Sequence, residues 1–405
     1  MSRHFHLVGI THIDLAWKRG FAEMAELLEM SVVWLLDALE RYPDFKYTLE
    51  QVAHYRALAP RRPDLVARLA PHFRSGRLEF AGGLASTLEL NLPHAECLVR
   101  NQSLGLRWLR DTWGIAPATA YTVDTFGHPA QLPQVFRQFG FTHLLTSRGG
   151  GELPEDLFHA RGLDGSTVLV ACWHTYGAYV KPQNIAEIFY ADWSTVDPLL
   201  DKAAALRGPG PYLVIPYTEN EAPISRRAFD LAAARAHSHP DETWHVSTPA
   251  DFFHALDASP RPLPTVSADL NPEFTGCFSN RIALRLRNRA IETLLLDAEC
   301  AGASAATLDA AWWDLAHVQF HDVLTGSHPT PVYHEAMALL DRAEAAAHAS
   351  LGCSPSAPLH VFNALPWPRR EWLSLPNGYS LPFDLPACGS VPFTPQSSAI
   401  LENEF

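Results

Sequence analysis

The sequence predicts an α/β fold built on a parallel sheet, followed by a helical region and a short β region. Strand-like and helix-like segments alternate as far as about residue 257, which is typical of parallel strands joined by helices. Residues 280–350 are rich in alanine and have helical spacing, whereas the residues after 352 are rich in proline and strand-like. The proline-rich stretch 259–264 marks the first boundary.

Short apolar runs in the first part predict buried strands, and amphipathic spacing predicts the helices between them. We expect strands at residues 5–10, 77–80, 118–123, 142–146, 167–173, 212–216 and 244–247. We expect helices at residues 24–42, 63–74, 94–112, 226–236 and 251–256. Gly76 and Gly114 stand where two of these helices should end. Such a sheet is open or closed into a barrel, and in both forms the active site gathers at the carboxyl ends of the strands.

The predicted domains are residues 1–258, 265–350 and 355–405. The second would consist of three helices, at residues 280–300, 307–320 and 332–347. The third has strand-like pieces at residues 359–362 and 372–375. Its roughly 50 residues are too few for a complete β domain of ordinary size.

Composition narrows the choice of partners and compartment. The net charge of −13 argues against a nucleic-acid partner, which normally requires a basic face. No apolar run reaches the length of a membrane span, so we expect no membrane partner.

The six cysteines form no CxxC pair, which argues against a disulfide framework or a thiolate zinc site. The N-terminal residues lack the apolar region of a signal peptide, so we expect a cytoplasmic protein. Association of the chain with copies of itself is left open.

The first candidate site residues follow the first predicted strand. His12 and Asp14 are two residues apart, so in an extended chain both side chains point the same way and can bind one metal ion. Trp17, just beyond them, supplies an aromatic ring of the kind that stacks on the apolar face of a sugar. The alternatives are a histidine at a strand end, an aspartate that caps a helix and a tryptophan of the core.

Two further pairs of a carboxylate and an imidazole lie far along the chain. Asp124 follows a buried strand and precedes a turn that contains Phe126, so it either faces a pocket or forms an Asx turn. His321 and Asp322 lie on the last turns of a helix that should end near Gly326. There they either reach into the first domain or bond to backbone groups.

Two glutamates follow the strand predicted at residues 212–216. Glu219 or Glu221 can act as a general acid if an apolar environment raises its pKa. The alternative for each is a solvated loop residue.

These pieces belong to an ordered series of motifs that covers essentially the whole chain: His12-x-Asp14-x-x-Trp17, Asp124-x-Phe126-Gly-His128-x-x-Gln131, Arg148, Glu273-Phe-Thr-Gly276, Asn288-Arg289, Gln319-x-His321-Asp322-x-x-x-Gly326 and Val361-Phe-Asn-x-Leu-x-Trp-x-Arg369. In this succession the chain resembles the α-mannosidases of glycoside hydrolase family 38. Any one motif is weak evidence, whereas the complete series in this order is specific.

The resemblance implies a (β/α)7 barrel-like catalytic domain, a three-helix domain and the start of a β-sandwich region. It implies one Zn²⁺ ion, for which Co²⁺ or Mn²⁺ could substitute. The ligands it implies are His12, Asp14, Asp124 and His321.

The resemblance also implies a substrate, which is a terminal α-mannoside or an oligosaccharide that carries one. Asp124 would be the nucleophile of a retaining mechanism, and Arg148 would orient it or contact the substrate. Trp17 and Phe126 would shape the sugar subsite, and Asp322 would hydrogen-bond sugar hydroxyls.

The chain departs from the family pattern in two places. The family usually has an aspartate as acid/base where this chain reads Tyr217-Thr-Glu-Asn-Glu-Ala-Pro223. Glu219 aligns when Pro223 is the anchor, whereas Glu221 aligns with the Gly-rich form of the turn, and we prefer Glu219. The chain is also much shorter than most members.

Three functions follow from these patterns. The one we favour is a zinc-dependent retaining exo-α-mannosidase. The others are a metal-dependent carbohydrate deacetylase and a truncated homologue that binds metal or glycan without turnover.

Overall fold

The fold was examined in a computed structural model that describes residues 2–148, 153, 155–173, 183–190, 197–219, 226–271, 274–351, 359–374 and 380–393. For residues 187–190, 197–199, 217–219 and 359 it describes the backbone alone. Strands and helices alternate through the first 257 residues, as the sequence predicts.

The strands as far as residue 266 are β1 (Arg3–Val8), β2 (Ile10–His12), β3 (Tyr47–Leu49), β4 (Leu78–Phe80), β5 (Ala120–Thr122), β6 (His143–Thr146), β7 (Leu157–Arg161), β8 (Thr167–Cys172), β9 (Ile185–Tyr190), β10 (Tyr212–Glu219), β11 (Glu242–Ser247) and β12 (Thr265–Val266). The helices among them are α1 (Phe21–Arg41), α2 (Val52–Leu58), α3 (Pro63–Arg74), α4 (Ala95–Trp113), α5 (Leu132–Gln138), α6 (Asp197–Ala205), α7 (Arg227–Ser238) and α8 (Pro249–Asp257). Left-handed glycines follow α3 and α4, at Gly76 and Gly114, as predicted.

Among the described residues these strands form two sheets. The first has the order β11-β1-β10-β2-β3-β4, with β9 on β10, and all its pairs are parallel. The second has the order β12-β7-β8-β6-β5, and within it only the β7–β8 pair is antiparallel. The Gly82 amide just after β4 donates to the Thr119 carbonyl just before β5 at 2.7 Å, which connects the two sheets.

One cluster of buried apolar side chains is shared by both sheets. It includes Val8 and Leu213 from the first sheet, Tyr121 and Leu145 from the second, and Phe252 from α8. Because strands buried on both faces have no polar face, the near-continuous apolar runs seen in the sequence are what this arrangement requires. The carboxyl ends of β2, β3 and β5 deliver the polar residues considered below.

The segment after β4 is held against α4 by a close backbone approach. Gly105 of α4 lies so near that a Cβ there would stand 2.1 Å from the Gly83 carbonyl oxygen, so no larger residue fits. Asn101, one turn earlier, accepts a hydrogen bond from the Ser86 amide and donates one to its hydroxyl. These contacts fix residues 83–86, which lead directly into the candidate site.

The later part of the chain contains α9 (Ile282–Cys300), α10 (Ala305–Val318), α11 (His321–Leu324) and α12 (Thr330–Ser350). It then forms two antiparallel pairs, in which β13 (Leu359–Asn363) pairs with β16 (Gly389–Phe393), and β14 (Arg369–Ser374) pairs with β15 (Ser380–Leu385). The predicted fold class, an α/β catalytic region followed by a helical region and the start of a β region, is confirmed.

One predicted helix is wrong in detail. The helix expected to carry His321 and Asp322 on its last turns instead ends at Val318, and α11 is a separate short helix that begins at His321. Between them, Phe320 forms a β-bridge with Leu88, and the Gln319 carbonyl accepts a hydrogen bond from the Glu89 amide. Pairing with the segment after β4 therefore interrupts the helix.

By compactness the chain divides into two units. One comprises Met1–Leu286 with Ala316–Leu339, and the other comprises Arg287–Leu315 with Leu340–Phe405. All candidate site residues lie in the first unit. The domain boundaries expected from the sequence stay a prediction. None of the helices in the described ranges is long and apolar enough to cross a membrane.

Candidate metal centre

Four side chains from three distant parts of the chain converge at the carboxyl ends of the strands. His12 ends β2, Asp14 follows two residues later, Asp124 comes shortly after β5, and His321 begins α11. One nitrogen or oxygen atom from each lies within 4.8 Å of those from the other three. The structure thus brings together the four ligands that the resemblance implied.

Two short distances within this group join an imidazole to a carboxylate. His12 Nε2 lies 3.2 Å from Asp14 Oδ1, and His321 Nε2 lies 3.3 Å from Asp124 Oδ2. The two imidazole rings stack with centroids 5.4 Å apart. Both histidines are fully buried and Asp14 is nearly so, which makes this a polar cluster largely removed from water.

Each histidine is tethered through the nitrogen that faces away from the cluster. His12 Nδ1 donates to Glu50 Oε1 at 2.5 Å, and His321 Nδ1 donates to the Thr87 carbonyl at 2.8 Å. Neither Nε2 atom has a hydrogen-bond partner of good geometry among the described residues. Two buried Nε2 atoms beside two carboxylates form a donor set suited to a divalent metal ion. A hydrogen held on Nδ1 selects the tautomer in which the lone pair of Nε2 can bind that ion.

The donor set also limits which metal fits. Two imidazoles and two carboxylates, without a thiolate, suit Zn²⁺ and also Co²⁺ or Mn²⁺. The residues present therefore fit the ion that the resemblance implied.

The charges in the metal-free cluster favour protonated imidazoles. Burial opposes a charge on His12, but the carboxylates of Glu50 and Asp14 outweigh it and raise the pKa of His12 well above its usual value. Burial likewise opposes a charge on His321, and its pKa is nevertheless raised by Asp124 and Asp322. Metal binding at Nε2 must therefore displace protons.

Asp124 is held in an unusual backbone conformation. Its φ of 62° lies in the left-handed region, which an aspartate adopts more readily than most residues, and its amide donates to Ser147 Oγ at 3.0 Å. Arg148 Nε donates to Asp124 Oδ1. Burial would raise the pKa of Asp124, but His321 and Arg148 hold it well below the usual range. The Asp124 side chain therefore does not form the Asx turn that was the alternative. It is an ionised carboxylate bonded to the Arg148 guanidinium.

Aromatic rings surround the Arg148 guanidinium. Its central carbon lies 5.6 Å from the Phe126 ring centroid and 5.0 Å from that of Phe274. Phe126 is buried and also meets His321 edge-on, with centroids 5.8 Å apart. Phe274 is 53% exposed although it stands beside this cluster. Phe126 and Arg148 thus lie against the centre.

Asp322 also reaches the centre. One carboxylate oxygen lies 3.6 Å from His321 Nε2, and the other accepts a hydrogen bond from Ser327 Oγ at 2.5 Å. Burial, with Asp14 and Asp124 nearby, raises the pKa of Asp322 to about 7. Trp17 is half-buried in the bend after Asp14, with the Lys18 ammonium 4.1 Å from its ring centroid.

The acid/base candidates are described only in part. Glu219 is the last residue of β10, where its Cα pairs with that of His12 on β2. Its side chain, Glu221 and the motif residue Glu273 lie outside the described residues.

The sequence did not predict several residues that contact the candidate site residues. Glu50, Thr87 and Phe274 were not among the candidates, although each touches a candidate side chain. A signal existed for Glu50, because it lies at the carboxyl end of β3 as Asp14 lies just beyond the end of β2. The strand β3 has only three residues and was not predicted from the sequence.

The family model for the N-terminal domain of glycosyl hydrolases family 38 matches residues 2–271. The chain belongs to glycosyl hydrolase family 38. A second model, for the alpha mannosidase middle domain, matches residues 273–352 of this family-38 chain. The resemblance seen in the motifs is therefore confirmed.

Relatives of the family-38 chain are longer than it is. It is 28% identical to human Alpha-mannosidase 2C1 over 98% of this chain and 40% of that protein. It is 25% identical to the Alpha-mannosidase of Saccharomyces cerevisiae over 82% of this chain and 33% of that protein. In fold it is similar to the crystal structure of an alpha-mannosidase from Enterococcus faecalis V583, with a TM-score of 0.78 and 18% identity over 92% of this chain and 46% of that one. The chain thus spans less than half the length of these proteins.

The raised pKa values of His12 and His321 predict that zinc affinity increases with pH. Both imidazoles keep their protons to a pH above the usual range, and Nε2 must lose its proton to bind the ion. Affinity should fall by about tenfold per pH unit for each proton displaced as the pH decreases from 8 to 5.5. Competition with a chromophoric chelator measures it, and an affinity independent of pH would contradict the prediction. Asp124 stays ionised throughout and adds no slope.

Proposed function

We propose that this chain is a zinc-dependent retaining exo-α-mannosidase that hydrolyses terminal α-mannosides. The observation that carries this proposal is the cluster of His12, Asp14, Asp124 and His321, with ligand atoms within 4.8 Å of one another in a chain of family 38. The alpha-mannosidases among the relatives add support. The substrate would be a terminal α-mannoside or an oligosaccharide that ends in one.

Asp124 is the proposed nucleophile. Its low pKa keeps it ionised, and Arg148 holds one carboxylate oxygen and thereby fixes the direction of the other. In a retaining mechanism such a carboxylate attacks the anomeric carbon and forms a covalent glycosyl-enzyme, which water then hydrolyses. Attack and hydrolysis each invert the anomeric centre, so the product retains the α configuration.

Glu219 is the proposed acid/base. A retaining glycosidase places its two carboxyl groups about 5–5.5 Å apart, so the acid/base must lie close to the nucleophile. This role is supported by the strand pairing of β10 with β2, in which the Cα of Glu219 is the partner of that of His12, a proposed ligand. It would first give a proton to the leaving oxygen and later take one from water.

When bound, a divalent cation here would act as a template for neighbouring sugar hydroxyls and would keep Asp124 ionised. The side chains of Trp17, Phe126 and Asp322 would contact the sugar. The carboxylate of Asp322 could accept a hydrogen bond from a sugar hydroxyl.

A cytoplasmic location is also proposed. The five cysteines that the structure describes are all free, and these are Cys97, Cys172, Cys277, Cys300 and Cys388. Free thiols are typical of a reducing compartment.

The proposed activity predicts chelator-sensitive cleavage of an aryl α-mannoside. Removal of the ion with a chelator should abolish release of the aryl alcohol, and Zn²⁺ or Co²⁺ should restore it, because the ion orients the sugar. The matching aryl α-glucoside is the control substrate. Cleavage that persists without metal would contradict the proposal. Release of acetate from an acetylated sugar, without cleavage of the mannoside, would indicate the deacetylase instead.

The Asp124→Ala variant should lose activity by several orders of magnitude, because no covalent intermediate can form. Azide should partly restore turnover of an activated aryl mannoside and yield the β-mannosyl azide. NMR of the product gives its configuration, and Asp111→Ala, at an exposed carboxylate, is the control. A wild-type enzyme that releases β-mannose would rule out the retaining mechanism.

Variants of the two glutamates should separate the acid/base from its neighbour. Glu219→Gln should slow cleavage of substrates with a poor leaving group far more than cleavage of a dinitrophenyl mannoside, because a good leaving group needs no proton. Glu221→Gln should behave like the wild type with both substrates. Rates for the two substrates measure this difference, and the reverse pattern would assign the role to Glu221.

A further inference from the structure

Two adjacent residues after β3, Glu50 and Gln51, connect to both histidines of the proposed metal centre. Both are buried, with exposed fractions of 6% and 2%. They are not among the ligands, and no motif of the family series contains them. Their contacts converge on the side of each imidazole that faces away from the centre.

Glu50 acts on His12 directly. Its Oε1 atom accepts a hydrogen bond from His12 Nδ1 at 2.5 Å. A carboxylate on Nδ1 keeps the hydrogen there, fixes the plane of the ring and makes the opposite nitrogen a better electron-pair donor. The consequence is that His12 Nε2 lies 3.2 Å from Asp14 Oδ1 and is directed into the centre, where it can bind a cation once its proton is displaced.

Gln51 acts on His321 through one intervening residue. Its Oε1 atom accepts a hydrogen bond from the Thr87 amide at 3.2 Å, and the Thr87 carbonyl accepts one from His321 Nδ1 at 2.8 Å. The His321 amide also donates to that carbonyl, at 3.2 Å. Thr87, whose carbonyl holds His321, is therefore itself held through its amide by the Gln51 side chain.

Gln51 also fixes the peptide between the first two ligands. Its Nε2 atom donates to the Ile13 carbonyl at 2.8 Å, and His54 Nε2 donates to the same oxygen at 2.7 Å. Ile13 lies between His12 and Asp14 in the chain, so the hydrogen bonds to its carbonyl oxygen hold the backbone that carries both side chains. One amide side chain thus bridges the end of β2 and the segment that holds His321.

The backbone of Gln51 is consistent with a positioning role. Its φ of 54° lies in the left-handed region, which is costly for a residue that is not glycine, asparagine or aspartate. Such a conformation persists where surrounding contacts determine it, and it is enriched at functional sites. Here it turns the Gln51 side chain toward Ile13 and Thr87 while Glu50 faces His12.

We propose that Glu50 and Gln51 are positioning residues that together aim the Nε2 atoms of His12 and His321 at one metal ion. This inference rests on the proposed metal-dependent function. Because the two residues are adjacent on one short strand end, a displacement there moves both imidazoles together. The two histidines are thereby coupled through protein contacts even though they are roughly 300 residues apart in the sequence.

Zinc affinity of the Glu50→Gln variant tests the first half of the proposal. The loss of the carboxylate should weaken zinc binding by about 10- to 100-fold, as removal of a hydrogen-bond partner of a metal-bound histidine typically does. Competition with a chromophoric chelator at pH 8, where proton competition is reduced, gives the dissociation constant independently of turnover. Glu79→Gln is the matched control, because Glu79 is a half-buried glutamate on a short parallel strand but accepts its hydrogen bond from the Ala250 amide, away from the centre.

The Gln51→Asn variant tests the second half. Asparagine tolerates the left-handed backbone, but its shorter side chain cannot span from Ile13 to Thr87. Zinc affinity should again fall by about tenfold or more, while circular dichroism and the melting temperature of the zinc-free protein stay near those of the wild type.

The outcomes separate this inference from the proposed function. Zinc affinity of both variants equal to that of the wild type and of Glu79→Gln would overturn the positioning role. A wild-type protein that binds zinc but cleaves no mannoside, with weakened binding in both variants, would support the positioning role and refute the activity. A wild-type protein that binds no zinc would overturn both.

Discussion

Buried negative charge is the constraint around which this site is organised. The carboxylates of Asp14, Asp124 and Asp322 lie close together with little access to water, and Glu50 lies just behind them. Burial, together with the negative charges of Asp14 and Asp124, raises the pKa of Asp322 to about 7. Positive groups must offset them, since an uncompensated buried charge is strongly destabilising.

The positive charges that offset these carboxylates come from three separate parts of the chain. Arg148 follows β6 and bonds to Asp124, and His12 and His321 stack face to face between the carboxylates. In the metal-free protein the imidazoles carry the positive charge, as their raised pKa values indicate. A bound divalent cation would supply the positive charge instead, and the imidazoles would release their protons. Protons and metal therefore compete for the Nε2 atoms of the two histidines.

His321 reaches the centre because a helix is interrupted. The Phe320–Leu88 bridge, the Glu89–Gln319 hydrogen bond and the Ser86 hydroxyl on the Ala316 carbonyl attach this stretch to the segment after β4. That segment is in turn held against α4 by the close contact at Gly105. The close contact between Gly105 of α4 and this segment thus contributes to the position of His321, a proposed ligand.

The sequence predicted the fold class because strand ends and apolar runs are local patterns, whereas the four converging side chains were implied by the order of motifs shared with the family. It did not predict the break between α10 and α11, since Gln319 and Phe320 are compatible with a helix and leave it only through tertiary pairing. Nor did it predict the role that we propose for Gln51, because a positive φ at a glutamine has no compositional signal. Charge balance also depends on distances, which a sequence does not contain.

The distance along the chain between His12 and His321 has a consequence for folding. An ion bound by both would act as a cross-link that closes a loop of roughly 300 residues, and cross-links that close long loops restrict the unfolded chain most in simple entropy models. During synthesis the first three ligands would leave the ribosome long before the fourth. The centre would therefore be completed late, after the sheets that frame it have had time to form.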